Sequence, residues 1–137
     1  MEIKKITDLL TEHHNEMREL SKEIKNDSAR FILLKKHLDI HHELEEDLLL
    51  SLLNENDEIK DESLESQEEH LVLNFLMLDL ADFPKDNPRW KVKFHVMEEI
   101  LLIAFQVLFE SLIHTVHTLF LHNILWLFQG QWILFLR

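Results

Sequence analysis

Cysteine is absent from this chain of 137 residues. That excludes a disulfide framework, a thiolate metal site and an iron–sulfur cluster. Turn-forming residues are almost missing as well: there is 1 glycine and there are 2 prolines, while Leu, Glu, Lys and Ile dominate, a composition that favours an all-helical protein. Positive charge is the minority sign. Against 26 Asp and Glu there are 14 Lys and Arg, and the net charge of -12 speaks against nucleic acid or an anionic membrane surface as partner and favours cations. The start, Met1-Glu2-Ile3-Lys4-Lys5, lacks the apolar run of a secretory signal, so the first hundred residues read as cytoplasmic. The length is that of one domain with room for a real core.

Apolar spacing and punctuation divide the chain into four helices. Thr7 is a candidate N-cap for the first, whose apolar positions Leu10, Met17, Leu20 and Ile24 recur at one or two helical turns before Asn26-Asp27-Ser28 closes it. Ser28 is placed to cap a second helix through Phe31, Leu34, Leu38, Leu44 and Leu48, ending in Asn54-Glu55-Asn56-Asp57. A third begins near Ser63, where Ser66 and Glu69 also fit a capping box, and runs through Leu73, Leu76, Met77 and Leu80. Asp82 to Pro88 is the clearest loop, and Asn87 followed by Pro88 is a cap and first-turn pair for the fourth helix. Short connections between long amphipathic helices predict an antiparallel, up-down-up-down four-helix bundle.

The 10 histidines are concentrated beside carboxylates on these helices. The stretches are Glu12-His13-His14, then His41-His42-Glu43-Leu44-Glu45-Glu46, then Glu68-Glu69-His70. His41 and Glu45 stand four apart, as do His42 and Glu46, so each pair lies on one helix face, one turn apart. Neutral imidazole with carboxylate suits iron, manganese or zinc, and several such helices facing one another make a metal site inside a bundle. The expected caps give a check on depth. His14 lies seven residues after Thr7, His70 seven after Ser63, and His41 thirteen after Ser28 on a helix running the other way. In an antiparallel bundle those three share a layer. On the fourth helix the matching depth is near Ile100, beside Glu99, and His95 falls short of it by roughly 7 Å at the α-helical rise.

The ordered motifs resemble the haemerythrin-like HHE cation-binding domains. The matching pieces are Leu10 to Met17, His41 to Glu46, Glu68 to Leu73, and His95-Val96-Met97-Glu98-Glu99, so the resemblance covers roughly residues 1–100. It implies a four-helix bundle around a non-haem di-iron centre, with His14, His41, Glu45 and His70 as ligands, joined by His95 and Glu99 from the last motif. His13 is the alternative to His14, and His42 and Glu46 are neighbours of the ligands. Oxygen-carrying haemerythrins have a second His four residues after the third-helix ligand. Here that position is Asn74, so the resemblance is to the broader HHE group.

Residues 101–137 depart from the rest. Their only formal charges are Glu110 and Arg137, which cancel, so the whole -12 resides in residues 1–100. Three readings compete for this segment: a membrane anchor built on Leu112 to Leu121 and Ile124 to Leu136 with Trp126 and Trp132 at the interface, an oligomerisation segment with His114 and His117 recruited to metal, or an altered end that replaces the fourth helix's proper terminus. The expected function is a non-haem di-iron protein that senses or handles oxygen, nitric oxide, redox state or iron, with metal ions and small diatomic ligands as partners and no catalytic acid–base pair apart from the ligands. The competing expectation is a helical interaction module without metal, anchored to a membrane through residues 101–137.

Overall fold

The computed structural model describes residues 3–119 and 121 of the chain. Helix α1 spans Ile3–Ile24. A 3₁₀ turn at Ser28–Arg30 leads into α2, Phe31–Glu45, which widens into a π turn at Glu46–Leu50 and ends with one more turn at Ser51–Leu53. Helix α3 is Lys60–Asp82. Helix α4 is Pro88–Ile103, followed by a π turn at Ala104–Leu108 and helical backbone over 109–119. Among the described residues there is no strand, and the described part of the chain is all-helical.

One helix start follows its expected chemistry. Asn87 stands in extended backbone ahead of Pro88, and its side-chain oxygen accepts from the Arg89 amide at 3.0 Å. The other three differ. Thr7 lies inside α1, where its hydroxyl donates to the Lys4 carbonyl at 2.9 Å. Asp27, not Ser28, receives the Ala29 amide at the entry to α2. Ser63 and Ser66 lie inside α3, and Ser63 donates across to the Leu50 carbonyl at 3.3 Å. Inside α1 and α3 these hydroxyls donate to carbonyls instead of accepting an amide at a helix end, Thr7 and Ser66 about one turn back on their own helix and Ser63 across to Leu50.

Two apolar clusters form the core. One gathers Met17 and Ile24 of α1, Phe31, Leu34 and Leu38 of α2, Leu73, Met77 and Leu80 of α3, and Trp90, Phe94, Met97, Leu101 and Phe105 of α4 and its π turn. It is pinned by the Trp90 indole, which donates to the Leu80 carbonyl at 3.1 Å and meets Phe31 edge-on. The other gathers Ile6, Leu10, Leu49, Leu50, Leu53, Ile59, Phe109, Leu112 and Val116. Along the chain, His14 falls between Leu10 and Met17, and His41 and Glu45 between Leu38 and Leu49, so a polar layer sits between two apolar ones.

Residues beyond position 100 continue α4 without a break as far as 119. Leu101, Phe105, Phe109, Leu112 and Val116 make one buried stripe, while Gln106, Glu110, Ser111, His114, His117 and Thr118 lie off it, all exposed. The described part of the segment therefore has an outer face that carries an amide, a carboxylate, hydroxyls and imidazoles, with Ile103 and Leu121 exposed among them. His114 and His117 join no metal-binding group among the described residues. No helix among the described residues is long and apolar enough to cross a membrane. The apolar run Ile124 to Leu136, with Trp126 and Trp132, lies outside the described residues.

Candidate metal centre

The central group is His14, His41 and Glu45, all buried, each offering one ligand atom within 4.8 Å of the others. His14 Nε2 and His41 Nε2 are 2.7 Å apart, and His41 Nε2 is 3.2 Å from Glu45 Oε2. His70 reaches in from α3, its Nε2 3.4 Å from the same Glu45 oxygen. Bond lengths of about 2.0–2.2 Å to a transition ion place neighbouring ligand atoms about 3 Å apart. The observed separations are of that size. The cavity among these side chains measures about 20 Å³, room for one small ion or one water.

Each side chain arrives by helical register. His41 follows Phe31, Leu34 and Leu38 on the buried stripe of α2, and Glu45 is one turn further. His14 continues Leu10 towards Met17, and it is this residue, not the half-buried His13, that turns inward. Glu45 is the last residue of regular α2 before the π turn Glu46–Leu50. Such wide turns shift the register of the residues after them and are frequent at functional sites. On α3, His70 precedes Leu73, Met77 and Leu80 on one stripe.

Charge in the layer is divided between its members. Burial, aided by the neighbouring His41, pulls His14 down to about 3, so its imidazole is neutral and has a free lone pair. Burial and the adjoining His70 pull His42 down to about 3 as well. Burial by itself raises a carboxyl, but at Glu45 hydrogen bonds from His41 and His70 outweigh it and hold the group well below the ordinary range. For His70 burial works downward, and the bonds to Glu45 and Glu46 more than reverse it. The anionic Glu45 beside the neutral His14 is the protonation pattern that metal binding requires, whereas His70 has to give up the hydrogen it shares with Glu45 to join it.

Two residues read from the sequence as neighbours of the ligands orient the cluster. Glu46 Oε1 lies 2.9 Å from His70 Nδ1, and the His42 ring stacks on His70 with 3.9 Å between centroids. Metal-binding imidazoles ordinarily have their other nitrogen held by a partner such as Glu46.

The fourth helix departs from expectation. His95 and Glu99 are each 63% exposed and pair with one another at 3.4 Å on the outer surface of α4. The buried stripe Trp90, Phe94, Met97 and Leu101 puts positions 95 and 99 off the inward face, so the structure does not bring them to the His14–Glu45 group. The inward carboxylate there is Glu98, which receives the Ser21 hydroxyl at 2.6 Å and the Lys25 ammonium at 3.2 Å. Next to the cluster, the continuation of α4 contributes aromatic rings. Phe105 stacks on His14 with 4.1 Å between centroids, and Phe109 meets the same imidazole edge-on at 4.3 Å.

A further group, His13, Glu16 and His37, also brings its ligand atoms within 4.8 Å; of these the sequence motifs point to His13, as the alternative to His14, but do not join it to His37. The signal is present in part, because His13 and Glu16 are three apart and His37 is one turn before His41 on α2. What sequence could not supply is the pairing of α1 with α2 that joins them. Comparisons of the chain with protein-family models, with curated proteins and with solved structures find no match.

Proposed function

We propose that this chain is a haemerythrin-like metal protein, an antiparallel up-down-up-down bundle that holds non-haem iron at His14, His41, Glu45 and His70. The arrangement is supported by which ends share a cluster. The late part of α1 packs with the early part of α2, the late part of α3 and the early part of α4, while Ile6 and Leu10 pack with Leu49, Leu50 and Phe109. The observation that carries the function is the convergence of two imidazoles and an anionic carboxylate in a buried layer between two apolar clusters. Packing needs alone do not explain it, because burying these groups in place of Leu or Met costs stability that a bound ion would offset.

The donor set of nitrogen and carboxylate oxygen suits iron, manganese or zinc, and the absence of thiolate disfavours the softer ions. The fit is to one ion in this layer. The cavity of about 20 Å³, walled by the rings of Phe105 and Phe109, has the volume of a single ion where the resemblance implies two. Iron in such surroundings supplies binding of oxygen or nitric oxide and exchange of one electron. The chain's own residues hold the ion and fix its ligands, Glu46 and His42 hold His70, and the two phenylalanines exclude water. Such a centre senses or handles a diatomic gas, redox state or iron.

The test is anaerobic loading of the purified chain with ferrous iron, passage through a desalting column and metal analysis. Retention of iron by the wild type and its loss from His14→Ala and Glu45→Ala are expected. A wild type that emerges without metal, or variants that hold as much as the wild type, would sink the reading.

A further inference from the structure

The group His13, Glu16 and His37 lies outside the buried layer, on the surface shared by α1 and α2. His13 and His37 are half-buried and Glu16 is exposed. His13 Nε2 stands 3.2 Å from His37 Nδ1, the spacing of two nitrogens that share one ion. The cluster adjoins a groove lined by Glu12, Glu16, Glu19, Glu23 and His37, in which Glu19 pairs with Lys22 and Glu23 with Arg30, while the exposed Glu12 and Glu16 stand nearest the two imidazoles on a chain of charge -12. The other side of the same imidazole touches the buried centre: His13 Nδ1 is 3.2 Å from His41 Nδ1.

We propose that His13, Glu16 and His37 form a second, solvent-accessible site for a divalent transition ion such as zinc, coupled to the buried centre through the contact between His13 and His41. The coupling rests on the buried centre proposed above and follows from counting hydrogens. A neutral imidazole has one N–H. When His41 commits its Nε2 lone pair to an ion in the buried layer, its hydrogen is on Nδ1 and is donated to His13 Nδ1. His13 then keeps its own hydrogen on Nε2, the nitrogen that faces His37. Filling the inner site thus removes a ligand from the outer one, and an empty inner site restores it. The outer group is a place where an ion arrives from the groove, and its grip loosens once the inner layer is occupied.

Zinc is the probe, added to the full chain at micromolar concentration against a chromophoric chelator. The wild type is expected to take up two ions of unequal affinity, and His37→Ala and Glu16→Ala one ion each. The single ion retained shows that these surface variants are folded. Two ions still bound by both variants, or only one bound by the wild type, overturns the outer site. His14→Ala is expected to lose the inner ion and bind the outer one roughly tenfold more tightly. An outer affinity that stays the same in that variant overturns the coupling. A His14→Ala protein that still takes up two ions would count against the buried centre, an outcome separate from both of the others.

Discussion

His70 Nδ1 lies 2.9 Å from Glu46 Oε1, and this one contact leaves His70 Nε2 facing Glu45 Oε2 at 3.4 Å. When His70 releases the Nε2 hydrogen it shares with Glu45, the Glu46 carboxylate keeps the remaining hydrogen on Nδ1, so that the Nε2 lone pair is the one offered to the layer. Glu46→Ala is therefore expected to weaken metal binding by about 10- to 100-fold with little change in helicity. Glu43→Ala, on the same helix, is expected to leave affinity as it was. Equal affinities of the two variants in a chelator competition would show that Glu46 does not orient the site.

His41 and His42 are adjacent but differ in what they reach. His41 meets both His14 and Glu45, whereas His42 is held against the face of His70. Iron retention after desalting is expected to fall most in His41→Ala and only modestly in His42→Ala. Equal losses would mean that the α2 register has been misassigned.

Acid is expected to destabilise the metal-free protein well above the carboxylate range. His14 and His42 titrate at 6.5 in the unfolded chain and at about 3 when folded. From pH 6.5 down to 3 the unfolded state binds protons that the folded state refuses, so stability falls as pH falls, by on the order of 3 kcal/mol per histidine at pH 4. Glu45, whose folded pKa is depressed, acts in the same sense: its contribution is present above 4.5 and fades below. His70 acts oppositely, because a raised pKa stabilises below 6.5 and that contribution is lost as pH rises through the folded value. Urea midpoints measured with chelator present should climb steeply between pH 4 and 6.5. A flat profile over that interval contradicts the neutral, buried state of these imidazoles.

Phe105 is 4% exposed and stacked on His14, in the position from which the continuation of α4 faces the cluster. Phe105→Ala is expected to cost about 3–5 kcal/mol in urea unfolding through the cavity it leaves. Because the new space adjoins the ion layer, water enters and iron should exchange faster with external chelator. Unchanged exchange in a destabilised variant would show that the ring packs the core without sealing the site.

The helical class, the four long segments and the residues His14, His41, Glu45 and His70 as one group were legible in the sequence. Local spacing alone puts an imidazole and a carboxylate on one face, and apolar neighbours one turn away say which face is buried. The misplaced caps leave the common depth intact. Helices α1 and α3 each begin a few residues earlier than Thr7 and Ser63 predict, so their histidines keep one level. What the sequence did not determine depended on contacts between helices. His95 and Glu99 have the same spacing as His41 and Glu45, yet the packing of the α4 stripe Trp90, Phe94 and Met97 against its neighbours leaves them facing solvent. The pairing of His13 with His37, the turn of Glu46 towards His70 and the filling of the fourth corner by Phe105 and Phe109 join residues from different helices. A periodic pattern specifies which way a side chain points from its own axis, and only the packing of those axes specifies what it meets.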